Sequence, residues 1–175
     1  MTKTEEQEIL GSLQQGLSAV AESLRGVSAV DARRAPAEGR WSMLECMEHV
    51  ALSEEFLLAR VLEANPVEAP QINVEREARI TARGEDRSHR AEAPEPVRPR
   101  AVFSDQQTAL DHFQSSRSKT IQFVKEHGRE DLRARVTAMP NFGSLNCHEV
   151  LLLMAAHPLR HALQIAEIKA QVGTH

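Results

Sequence analysis

The 175-residue sequence predicts an all-α protein, a four-helix bundle folded as a single domain over residues 1–175. Three observations carry that expectation. Apolar residues recur in steps of three and four in four separate segments, the spacing that lines one face of an α-helix. Each segment opens on a capping signal, a Ser, Thr or Asn followed three residues later by Glu or Gln. The apolar residues are mostly aliphatic, with five Phe, one Trp and no Tyr, which suits helix-on-helix packing.

The first segment places Leu10, Leu13, Leu17, Val20, Leu24 and Val27 on one stripe, with Thr4 and Gln7 as a weak start signal. The second, "WSMLECMEHVALSEEFLLARVLEANP", starts at Ser42 with Glu45 reaching back. It carries Leu44, Ala51, Leu58 and Leu62 inward and stops at Asn65-Pro66. The third begins at "FSDQQ", where Ser104 and Gln107 form the signal, and buries Leu110, Phe113, Ile121 and Val124 before ending near His127-Gly128. The fourth is capped by Asn146 with Glu149. Its stripe reads Val150, Met154, His157, His161, Ile165, Ile168.

Residues 66–103, between the second and third helices, are polar and Arg-rich, with Pro94, Pro96 and Pro99 near the end and a short helix expected around Val74–Arg83. So long a connection either crosses the bundle, letting the second and third helices run parallel, or is a flexible linker.

Composition narrows the function. Net charge is −4 with a pI near 6.1, and aromatic residues are scarce, so a basic, base-stacking surface for nucleic acid is not expected. The longest apolar run, around Val150–Ala156, is far short of the roughly 20 residues that span a bilayer. The acidic start "MTKTEEQEIL" has no apolar signal region. Cys46 and Cys147 are too few for a disulfide framework and read as reduced thiols of a cytoplasmic protein. There is no Gly-rich phosphate loop, GxSxG, CxxC or internal repeat.

The eight histidines hold the informative pattern. His89, His112, His127, His148 and His175 fall in loops, on polar faces or near helix ends, and read as solvated. His157 and His161 instead occupy core positions of the fourth helix, four residues apart and therefore neighbours. Two such imidazoles are either satisfied core histidines or two ligands of one ion at about 2.0–2.1 Å. His49, in the second turn of the second helix, offers a third nitrogen. Three imidazoles leave coordination positions open and suit Zn²⁺, Ni²⁺, Fe²⁺ or Cu²⁺ rather than Mg²⁺ or Ca²⁺.

W-S-x-x-E-x-x-x-H from Trp41 to His49, F-G-S-L-N at 142–146 and H-x-x-x-H-x-x-Q-I from His157 to Ile165 together resemble the DinB-like (DinB/YfiT) metalloenzyme superfamily. The resemblance spans essentially the whole chain. It implies an up-down-down-up bundle, a divalent ion (nickel or zinc) on His49, His157 and His161, and a homodimer. Some members of that superfamily transfer or use low-molecular-weight thiols. A bound ion that lowers the pKa of water or of a thiol serves either hydrolysis of a small-molecule substrate or S-transfer with a thiol co-substrate. The alternative is a non-catalytic bundle in which the ion, or three hydrogen-bonded histidines, stabilises the fold.

One departure is Pro158, inside the ligand helix, which removes an N–H and is expected to kink the helix, reshaping the pocket rather than spoiling the His157–His161 geometry. Around the site, Glu45 reads as a cap before a base, and Cys46 as a small buried hydrophobe. Arg117 interrupts the stripe of the third helix, either as a grip on an anionic substrate or as a long stem reaching the surface. Gln164, one turn after His161, is a second candidate substrate contact.

Overall fold

A computed structural model of the chain describes residues 1–69, 72–88 and 92–173. Its long helices are α1 (Lys3–Ser23), α3 (Met43–Leu62), α5 (Gln106–His127) and α6 (Cys147–Val172), with a short α2 (Ala29–Ala32) before α3. Capping boxes at Ser42/Glu45 and Asn146/Glu149 start α3 and α6. Two starts differ from the sequence expectation. Thr2 with Glu5, not Thr4 with Gln7, caps α1. Asp105 rather than Ser104 caps α5, its carboxylate accepting from the Thr108 N–H at 2.7 Å. A carboxylate also favours the positive end of the helix dipole, which a hydroxyl does not.

The crossover contains α4 (Val74–Glu85), which packs on α6. A close approach makes that possible: a Cβ on Gly84 would stand 2.7 Å from the Cβ of Ala156. At its far end the crossover is tied down by buried Glu48, whose Oε1 accepts from the N–H groups of Arg100 (2.7 Å) and Val102 (3.1 Å). The described residues of the 66–103 connection are thus held on the bundle through α4 and through Glu48.

A small antiparallel sheet, absent from the sequence expectation, joins β1 (Asn65–Pro66), β2 (Arg135–Met139) and β3 (Gly143–Asn146) in that order. Val136 pairs with Asn65 on one side and Asn146 on the other. The tight β2–β3 turn uses positive φ at Asn141 (65°) and Gly143 (73°).

The core is divided. One apolar cluster holds Leu13, Leu57, Phe123 and Leu151; the other holds Val20, Val50, Phe113 and Ile165. Between them, at the middle of the bundle, lies a polar layer centred on Arg117. Its guanidinium is fully buried and touches all four long helices. It pairs with Glu54 of α3 at 2.8 Å and donates to the carbonyls of Leu13 on α1 (3.2 Å) and Met154 on α6 (2.9 Å). Thr120 donates to the other Glu54 oxygen at 2.6 Å. Arg117 therefore neither reaches the surface nor enters the cavity described below, and both sequence expectations for it are corrected. The Glu54 carboxylate and the Met154 carbonyl supply acceptors that hold it inside.

His148 is a second correction. It is buried against Glu77 (Nδ1 to Oε1, 3.2 Å), which is also gripped by Arg133 at 2.7 Å. His112 and His127, half exposed, sit beside Glu55 and Glu130 at 2.8 Å each, whereas His89 and His175 lie outside the described residues. Among the described residues no helix is long and apolar enough to cross a membrane.

Candidate metal centre

His49 from α3 and His157 and His161 from α6 converge. Their ligand atoms all lie within 4.8 Å of one another. The Nε2 of His157 is 3.1 Å from that of His49 and 3.0 Å from that of His161. The three rings stand edge to face, at 73°, 68° and 69° to one another, like blades around a common point.

Each outer ring is oriented from behind. The Nδ1 of His49 lies 2.7 Å from the carbonyl oxygen of Val97, which only accepts, so that nitrogen carries the proton and Nε2 presents a lone pair. The Nδ1 of His161 lies 3.0 Å from the Oε1 of Gln164, which in this amide orientation fixes the same tautomer. All three imidazoles are held neutral. Burial lowers His49 to about 4, and burial together with the charge of Arg160 and the other imidazoles pushes His157 and His161 well below their ordinary value.

That chemistry tests the fit of a cation. A neutral His157 carries at most one proton on Nε2, and two lone pairs face it at about hydrogen-bond distance. At least one lone pair is left opposing another. A divalent ion among the three nitrogens removes that conflict, and two nitrogens on a tetrahedral ion stand about 3.4 Å apart. The donor set fits the ion. Outer hydrogen bonds of the kind made by Val97 and Gln164 accompany metal-bound histidines generally.

Pro158 does not spoil this geometry. Helix α6 runs through it, and the Met154 carbonyl that its missing N–H would have served is taken by Arg117. Glu45 is engaged in its cap, with the Ser42 N–H donating to it at 2.7 Å, and does not line the site. Cys46 is fully buried, and burial pushes its thiol far above the range where it ionises at neutral pH.

The sequence profile of the DinB superfamily matches residues 12–165. The chain belongs to the DinB superfamily. YuaE of Bacillus subtilis (strain 168), an uncharacterized protein, is 25% identical over 152 residues, covering 85% of this chain and 90% of YuaE. The structure of YfiT from Bacillus subtilis, described as a probable metal-dependent hydrolase with an unusual four-helix bundle topology, matches with a TM-score of 0.63. The overlap covers 99% of this chain and 90% of that one at 13% identity, a likeness of fold.

In this DinB protein the histidines open onto a cavity of about 1050 Å³. Trp41 stands beside the centre, its ring 5.0 Å from that of His49 and 6.4 Å from that of His161. Phe56, Leu57 and Leu153 supply apolar wall, and the β2–β3 turn adds Met139 and Phe142. Gln164, expected as a substrate contact, lines the same cavity while bonded to His161. Sequence reasoning missed the Val97 carbonyl, which a backbone atom far along the chain cannot signal. It also missed Arg160, which stands between the two ligands of α6 and could have been found from helical spacing alone.

Proposed function

We propose that this chain is a divalent-metal-dependent hydrolase acting on a small molecule held in the cavity. The observation that carries the reading is the convergence of three neutral imidazole nitrogens, from two helices, on one point at the wall of a substrate-sized space. A divalent ion bound there supplies Lewis acidity and lowers the pKa of water towards neutrality. The chain's part is to fix three nitrogens through the Val97 and Gln164 bonds and to leave the remaining directions open to the cavity. Among the described lining residues the carboxylates are Asp86 and Glu92, and Glu92 is highly exposed and paired with Arg98, so no buried carboxylate base stands ready beside the histidines. The description of YfiT as a probable metal-dependent hydrolase, on the same fold, supports the reading.

The test is elemental analysis of purified wild-type protein and of His161→Ala. One zinc or nickel per chain is expected in the first and none in the second, with both proteins equally helical. Ester and amide hydrolysis assayed on the same two samples should disappear with the ion. Turnover that requires an added thiol would instead indicate S-transfer at the same centre. A wild-type protein that binds no divalent ion at neutral pH would remove the proposal.

A further inference from the structure

The charge of the cavity is opposite to that of the chain. The protein carries a net −4, yet among its described residues five arginines and two carboxylates line the cavity. Arg83 and Arg87 come from α4 and the residues after it, Arg98 from the end of the crossover, Arg40 from the loop before α3, and Arg160 from the ligand helix itself. The close approach at Gly84, whose added Cβ would also stand 3.6 Å from the His157 backbone nitrogen, brings the first two over the ligand helix.

Arg87 lies three residues beyond the Gly84 contact with α6, Arg160 lies on α6 itself, and both line the cavity. Arg160 follows His157 by three residues and precedes His161 by one, so it leaves the helix on the flank of the ligand face. Burial and the nearby Arg87 cation both depress the Arg160 guanidinium, with Asp86 opposing them. Its charge in turn reaches all three histidines. Arg87 is paired with Glu167, a half-exposed carboxylate outside the cavity lining, and water-exposed partners of this kind hold a guanidinium weakly. Two guanidiniums facing one space give a planar, multi-donor grip on a carboxylate or similar oxyanion. Phe56, Leu57 and Leu153 add apolar surface to the same cavity.

We propose that the ligand of this cavity is an anion with an apolar body, its charged group held by Arg87 and Arg160 and the rest of the molecule lying against the apolar wall beside the histidines. The assignment deepens the hydrolase reading by naming the class of its substrate, and it rests on that reading only for the role of the ion. Anion binding itself needs only the arginines.

The experiment therefore uses metal-stripped protein, with phenylacetate and its neutral isostere phenylacetamide as calorimetric probes. Phenylacetate should bind about tenfold more tightly than the amide or better, in keeping with a charge-assisted contact, and its affinity should fall with added salt. Arg160→Gln and Arg87→Gln should each cost about tenfold for phenylacetate and leave phenylacetamide unchanged. Arg25→Gln, on an exposed pair outside the cavity lining, should behave as wild type. Equal binding of the two probes, binding of neither, or a preference that survives both substitutions would overturn the assignment. Zinc titration of the same samples reads the metal centre separately. Protein that binds phenylacetate through the arginines but takes no zinc would refute the hydrolase and leave the anion site standing.

Discussion

Arg117 donates to the Met154 carbonyl at 2.9 Å, and Met154 is the residue whose helical partner would be the N–H that Pro158 lacks. The two oddities of the sequence, a cation in an apolar stripe and a proline in a ligand helix, are thus one device. A carbonyl freed in mid-helix and buried needs a donor. The arginine that supplies it needs a counter-charge, which Glu54 provides at 2.8 Å. Gly16 of α1 completes the arrangement, since a Cβ there would stand 3.1 Å from the Ala155 carbonyl oxygen and 3.4 Å from the Cβ of Pro158.

The first prediction follows from that coupling. Arg117→Met leaves Glu54 buried without its cation and the Met154 carbonyl without a donor, and should destabilise the protein by about 3–5 kcal/mol. Adding Pro158→Ala restores an N–H to the same carbonyl. The double variant should therefore lose less than the two single losses combined, by on the order of 1 kcal/mol. Urea unfolding of the four proteins measures the coupling, and strict additivity would show that the carbonyl does not link the two residues.

Two glycines should respond to alanine in opposite directions. Gly11 lies on the exposed face of α1 with no heavy atom within 4 Å of an added Cβ. Gly11→Ala should stabilise by about 0.5–1 kcal/mol through helix propensity alone. Gly84→Ala gains the same propensity but drives its Cβ to 2.7 Å from that of Ala156. Overpacking costs typically about 1–3 kcal/mol, so the net change should be a loss, accompanied by displacement of α4 from the cavity. Thermal melts of the two variants should move apart, Gly11→Ala upward and Gly84→Ala downward.

The parts of the fold that the sequence disclosed are those with a local cause. The stripe of α6 and the Ser42 and Asn146 boxes are read within a few residues, and so was the placement of His157 and His161 on one face. The convergence of His49 with them could be suspected but not shown, because helix periodicity does not fix the relative depth of two helices. The role of Arg117 is not legible in the sequence because its partners, Leu13, Glu54 and Met154, lie 104, 63 and 37 residues away. His148 reads as solvated in the sequence for the same reason: Glu77 and Arg133 come from segments with no sequence link to it. The β2–β3 hairpin did leave a local trace. Val136 and Thr137 precede a Pro-Asn-Phe-Gly turn, but strands of four and five residues are easily lost beside long helices.

Acid should weaken the metal-free protein through its buried imidazoles. Burial places the folded pKa of His49 at about 4, below the ordinary 6.5, and the shifts of His157 and His161 run the same way. The unfolded chain therefore takes up protons first. The stability due to these groups is complete above pH 6.5 and is lost as pH falls towards the folded pKa, on the order of 3 kcal/mol for His49 alone. Urea midpoints of metal-free protein should decline from pH 7 to pH 4.5, and His49→Gln should flatten the decline. An unchanged slope in that variant would place the titration elsewhere.

Gln164 offers the sharpest separation of two roles. It faces the cavity and also holds the Nδ1 of His161 at 3.0 Å. As an orienting group it acts on the ion through His161, and loss of such a bond typically lowers metal affinity by about 10–100-fold. Gln164→Ala should show that loss in a zinc competition titration, while Gln164→Glu, which accepts the same proton with a charge, should match or exceed wild type. A residue that only touched substrate would behave otherwise. Zinc affinity would then be equal in all three proteins, and the difference would fall on KM. The order Glu at least equal to Gln, and both above Ala, is the result the geometry requires, because only the bond to His161 ranks the three side chains that way.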